Sequence, residues 1–220
     1  MVKKPEYSNA LYAARCVADH AVQVGLLSSG VPCRPVYRHM GAVLADSILQ
    51  AGLNYEKVVK PRVASILKMF PHASNVNTLI EVIEAEGSRK FLRWEHGEKI
   101  TRFDSLVAFL AEAKIIDTYE LGEALTDGKF RADIQRLRGI GPKTVDYMAC
   151  LVGADCIAVD RHIRGFAKYV GLEDSSYEYL RDVFCFAADL LCISRRDFDS
   201  SVWHHQVLNV SQQLYFEYAQ

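Results

Sequence analysis

The chain has 220 residues, half of them apolar and 24% charged, with a net formal charge of −1. That length and balance fit one domain or two small lobes around a real core and exclude a disordered polyelectrolyte. No apolar run reaches the roughly 18 residues needed to span a bilayer, and Met1–Tyr7 does not lead into a secretory signal, so a cytoplasmic protein is expected, nucleoid-associated or nuclear in a eukaryote.

Charge is unevenly spread. Lys129 to Lys168 holds eight basic and four acidic residues, which leaves the remainder of the chain acidic. A near-neutral total counts against nucleic acid, whereas a local basic segment fits a polyanion site or a solvated face. The six cysteines (16, 33, 150, 156, 185 and 192) contain no C-x2-C pair, so buried thiols are expected rather than a zinc or iron–sulfur site.

The pattern is helical nearly throughout. In chain order it predicts helices at 8–27, 36–51, 55–69 with a break or kink at Pro61, 75–86, 101–113, 117–125, 131–137, 142–153, 160–170, 176–193 and 199–214. Residues 28–35, with two prolines and a glycine, read as a loop. Met40, Val43, Leu44 and Ile48 share one face, as do Val145, Met148, Ala149 and Val152. The best strand candidate, Cys156–Val159, is four residues long, so the fold class is all-α.

The most informative stretch is Leu137-Arg-Gly-Ile-Gly-Pro-Lys-Thr-Val-Asp-Tyr-Met148. Gly139 and Gly141 permit a tight hairpin between two helices, with Leu137, Ile140 and Val145 packing them together. Pro142 suits the first turn of the second helix, where its missing N–H leaves nothing unsatisfied. The turn amides and the helix start then form an anion site fit for phosphate, although an ordinary helical corner reads the same way. No strand precedes the glycines and no third glycine follows, which excludes a dinucleotide fingerprint; the Walker spacing is also absent.

Lys143 lies in the first turn of that helix, where the dipole disfavours an ammonium and partial burial favours the nucleophilic amine. A solvated or phosphate-contacting lysine is the alternative. Asp160, in Ala158-Val-Asp-Arg-His-Ile-Arg164, ends an apolar stretch and opens an amphipathic helix, either as a simple N-cap or as a carboxylate facing a cleft.

The pairing of Leu137–Lys143 with Ile157-Ala-Val-Asp-Arg-His-Ile163 resembles the helix-hairpin-helix and Gly/Pro-Asp signature of the endonuclease III superfamily of DNA glycosylases. The resemblance is most specific over 131–170. It implies a two-lobed all-α fold with a DNA-binding cleft between lobes: a central helical barrel, 36–154, ending in the hairpin, and a second lobe built from 1–35 and 155–220. It implies that Lys143 is the lysine of bifunctional members, which remove a base and nick the strand, and that Asp160 is the essential aspartate. Arg138, Gly139, Ile140, Gly141 and Thr144 become DNA-binding residues. Gln50 corresponds to a glutamine that fills the gap left by the flipped nucleotide, or else is a surface or capping glutamine.

Nothing after Cys192 supplies a four-cysteine loop, so the resemblance points to a branch without an iron–sulfur cluster. The implied reaction needs no metal and no organic cofactor. Its partner is double-stranded DNA with a damaged or mismatched base, and the chain is expected to be a monomer. Tyr55, Trp94 and His96 offer a stacking surface or core packing. A monofunctional glycosylase, a non-catalytic helix-hairpin-helix DNA-binding protein and an all-α protein unrelated to DNA are the alternatives.

Overall fold

A computed structural model of the chain describes residues 6–26, 34–172 and 175–218, with side chains between 9 and 208. Among the described residues every regular element is a helix. Most of the expected loop 28–35, and Cys33 with it, lies outside them. No helix among the described residues is long and apolar enough to cross a membrane.

The chain divides into two compact units. One comprises 35–154; the other joins 1–34 to 155–220. In the first, the order is α2 (Met40–Leu49), a π-helical turn (Tyr55–Val59), α3 (Lys60–Met69), α4 (Val76–Glu86), α5 (Ser88–Leu92), α6 (Gly97–Glu112), α7 (Thr118–Ala124), α8 (Gly128–Ile134) and α9 (Pro142–Leu151). In the second, α1 (Glu6–Gln23) is followed by α10 (Arg161–Lys168), α11 (Tyr177–Leu190) and α12 (Arg195–Tyr218).

α2 is the axis of the first unit. All ten of its residues are buried, and α3, α4, α6 and α9 pack around it. A helix buried on every side has no solvent face, which is why its pattern reads as a broad stripe. It begins at Met40 rather than 36 because 34–37 is irregular, with the Tyr37 N–H bonded to Leu151 O at 2.9 Å. His39 then caps the helix, Nδ1 accepting from the Ala42 N–H while Nε2 lies 2.8 Å from Phe70 O.

The break expected at Pro61 takes another form. Proline lacks a donor and its ring crowds the preceding turn. The chain widens ahead of it, with the Lys60 N–H reaching back to Tyr55 O, and α3 then runs unbroken through Pro61. α8 starts earlier than expected because Asp127 caps it, α6 starts at Gly97 and α12 at Arg195, and the short α5 was not foreseen.

The second unit closes around Phe166, Phe184 and Phe198, with Ala14, Val17 and Ala21 from α1 packed on α11. The described cysteines are free thiols; Cys150 is buried, but Cys192 is exposed in a left-handed conformation, contrary to the expectation of burial. Burial raises the Cys185 thiol to about 11.

One close approach in the first unit sets a packing limit. A Cβ on Gly41 would lie 2.7 Å from Cζ of Phe91, a fully buried ring. Gly41→Ala is therefore expected to destabilise the protein by about 1–3 kcal/mol, readable as a lower urea midpoint; an unchanged midpoint would show that Phe91 moves freely.

Candidate functional site

The hairpin spans the turn between α8 and α9. Gly139 has φ +80°, a left-handed conformation open to glycine, and Gly141 N-caps α9 with Pro142 next. Arg131 of α8 forms a largely buried ion pair with Asp146 of α9, clamping the two helices beneath the turn. Ile140 and Val145 are buried between them and Leu137 is partly so.

The expected DNA-binding residues divide by exposure. Ile140 and Thr144 are buried, and their N–H groups are taken up by Leu137 O and Gly141 O, so they build the hairpin from inside. Arg138 and Gly139 are exposed. The Gly139 and Gly141 N–H groups find no acceptor among the described residues, which leaves two adjacent donors at a helix start.

Lys143 is partly buried in the first turn of α9. Its Nζ donates to Oε1 of Gln50 and sits 5.6 Å from the centre of the Tyr147 ring, one helical turn on. Gln50 is the C-cap of α2 and its Nε2 also donates to Ser47 O at 3.3 Å. The glutamine thus both caps α2 and holds the amine.

Beneath this pair lies a second one. Asp46, fully buried one turn before Gln50, accepts from the hydroxyls of Tyr147 at 3.0 Å, Tyr37 at 3.0 Å and Tyr55 at 3.3 Å. Burial first, and the Asp46 charge second, push the Tyr37 phenol above its ordinary range and keep it a donor. Asp46 and Gln50 lie one turn apart, as do Lys143 and Tyr147, and the contacts Asp46–Tyr147 and Gln50–Lys143 between them make α2 and α9 antiparallel with the amine at the hairpin end.

Lys99 of α6 was missed by sequence reasoning. Its Nζ donates to Ile48 O and Ala51 O at 2.8 Å each, tying down the last turn of α2 on either side of Gln50. Burial, then the like charges of Arg102 and Lys143, lower it to about 8, against the pull of Glu98.

Asp160 belongs to the second unit and N-caps α10. Both capping bonds, from the His162 and Ile163 N–H groups at 2.8 and 3.0 Å, fall on Oδ1; Oδ2 accepts none among the described residues. The apolar segment before it, Ile157–Val159, is buried and irregular, without being a strand. Buried Asp199 of α12 fixes that segment, accepting the Ala158 N–H at 2.8 Å while paired with Arg34.

Of the aromatic candidates, Tyr55 is committed to Asp46. Trp94 and His96 lie ring to ring at 5.4 Å with Arg62 stacked over Trp94 at 5.3 Å. No group of three or more His, Cys, Asp or Glu able to hold a metal occurs among the described residues. Compared with known proteins, the chain matches no family model, no curated protein and no solved structure.

Two outcomes follow from this geometry. Tyr147→Phe keeps the ring beneath Lys143 but removes one donor from a buried carboxylate, and is expected to lower stability by about 1.5–3 kcal/mol in denaturant unfolding; a loss near zero would show that Asp46 does not depend on it. Lys99, with a folded value near 8 against an ordinary 10.5, binds fewer protons than the unfolded chain between those pH values. Wild-type stability should therefore rise relative to Lys99→Met as pH climbs from 8 to 10.5, its unfavourable contribution being full below 8. A pH-independent difference between the two melting curves would refute this.

Proposed function

We propose that the protein is a DNA base-excision glycosylase with associated lyase activity, acting on duplex DNA that carries a damaged or mismatched base. The observation that carries the reading is the Lys143 amine, held by Gln50 and Tyr147 directly behind a hairpin with two unused backbone donors. A phosphate on the Gly139 and Gly141 amides brings the backbone of a duplex to the nucleophile without reading its sequence. The target nucleotide leaves the stack to be acted on.

In this mechanism the unprotonated Lys143 amine attacks the anomeric carbon of the sugar. The bond to the base breaks, and the base departs with the bonding pair and takes up a proton. Opening of the sugar ring yields an imine between Lys143 and the anomeric carbon. Loss of a proton from the adjacent carbon then expels the 3′ phosphate and cuts the strand. By the resemblance to the glycosylases, Asp160, whose second oxygen accepts no bond among the described residues, is assigned the negative charge that stabilises the cationic sugar or accepts the proton from the amine. The steps use side chains of this chain and DNA alone.

Borohydride reduces the imine to a stable amine, so incubation with a panel of lesion duplexes is expected to leave protein covalently attached to the DNA. Lys143→Gln should abolish that adduct; its persistence would move the nucleophile elsewhere. Base release without any adduct in the wild type would instead identify a monofunctional enzyme. Asp160→Asn retains an oxygen for the α10 cap and removes only the charge, so base removal should fall by about 100-fold or more with duplex binding kept. Full activity in that variant would refute the aspartate's role.

A further inference from the structure

A cleft of about 360 Å³ opens between α6 and the hairpin, lined by Glu98, Thr101, Arg102, Ser105 and Arg138. Its lining is mostly polar and mostly cationic. Two guanidiniums and two hydroxyls face one carboxylate, and Lys99 stands near enough to Arg102 to feel its charge.

Arg102 is fixed with unusual closeness. A Cβ on Gly139 would fall inside its side chain, 2.5 Å from Cζ and 2.8 Å from Cδ, so the end of the Arg102 side chain lies against the hairpin glycine. Gly139 is thereby constrained twice, by its left-handed φ and by this approach. The side chain is only 26% exposed, and its Nε is buried with no hydrogen-bond partner among the described residues. Its outer nitrogen is occupied by Glu98, itself 66% exposed, in a pair one turn apart on α6. Such a surface pair is weakly held and readily exchanged for a better acceptor. Arg138 lies across the cleft, exposed and paired with no acid among the described residues.

We propose that this cleft is a seat for a phosphodiester anion, gripped by Arg102 and Arg138 with the Thr101 and Ser105 hydroxyls, and that Glu98 holds the Arg102 guanidinium until the anion displaces it. A guanidinium fork matches two phosphate oxygens at once, which suits the planar geometry of the site better than a lysine would. The seat is separate from the hairpin amides: it lies on the α6 side of Gly139 and uses side chains. The assignment of the phosphate to duplex DNA rests on the glycosylase reading; the seat itself rests on the cleft.

The test measures fluorescence anisotropy of a labelled duplex containing a stable abasic analogue, over a range of salt, for wild type, Arg102→Gln/Arg138→Gln and Glu98→Gln. The double variant is expected to lose about tenfold or more in affinity and to flatten the salt slope by roughly one to two phosphates' worth. Glu98→Gln, which leaves both arginines in place, is expected to bind tighter than wild type, a gain that a misfolded protein does not produce. Unchanged affinity and slope in the double variant would overturn the seat while leaving the glycosylase reading to its own borohydride test. Should wild type bind no duplex, the DNA assignment falls. Inorganic pyrophosphate raising the melting temperature of wild type but not of the double variant would then sustain the seat for a free phosphate ligand, and equal or absent shifts would overturn it.

Discussion

A carboxylate with no access to water has to be answered by the protein, and in the first unit that requirement organises the site. Asp46 sits at the centre of a helix whose ten residues are all buried. Three tyrosine hydroxyls reach it from the irregular segment before α2, from the π-helical turn and from α9. Each of those segments is thereby referred to the same two oxygens. Because α9 is among them, the register of that helix against α2 is set by an interaction with a high penalty for slippage. The Gln50–Lys143 contact one turn away inherits the register, and so does the hairpin that begins α9.

The surrounding charges reinforce this arrangement. Lys99 meets the carbonyl end of α2 and lies within electrostatic reach of Arg102, Lys143 and the acid Glu98. A protein whose net charge is −1 thus concentrates positive charge on one small region. The second unit uses a different device for Asp160. There the carboxylate is placed by its own helix cap, and the buried Asp199–Arg34 pair holds the approach segment still.

Much of the fold was legible because local signals agreed with it. Asn75, Asp117 and Asp160 stand where side-chain caps are needed, and the helices at 75–86, 117–125 and 160–170 begin within a residue or two of those positions. The start of α2 was less legible, since residues 36–39 read as helix until a backbone bond from Tyr37 to the far end of α9 is known. In the site, Gly139, Gly141, Pro142 and Lys143 carry their chemistry in adjacent positions and so are visible in one line of sequence. Lys99 and Arg102 are not: along α6 they alternate with Glu98 and Thr101 as any solvated face does, and only the ends of α2 and the Gly139 backbone give them roles. Asp46 did leave a signal, a single acid inside the apolar run Met40–Leu49, but its partners come from three distant segments that no spacing rule connects.

The division of the chain has a consequence for synthesis. Residues 35–154 form a continuous unit, so that unit can close as soon as its last helix leaves the ribosome. α1 is made before that unit, yet its packing partner α11 is made after it. While residues 35–154 are being made, Ala14, Val17 and Ala21 therefore have no native surface to meet, and the second unit assembles only when the segments on either side of 35–154 find each other. Its nucleation is a late, long-range event with a large closure entropy, and nascent chains stalled before α11 should be the ones that most need a chaperone.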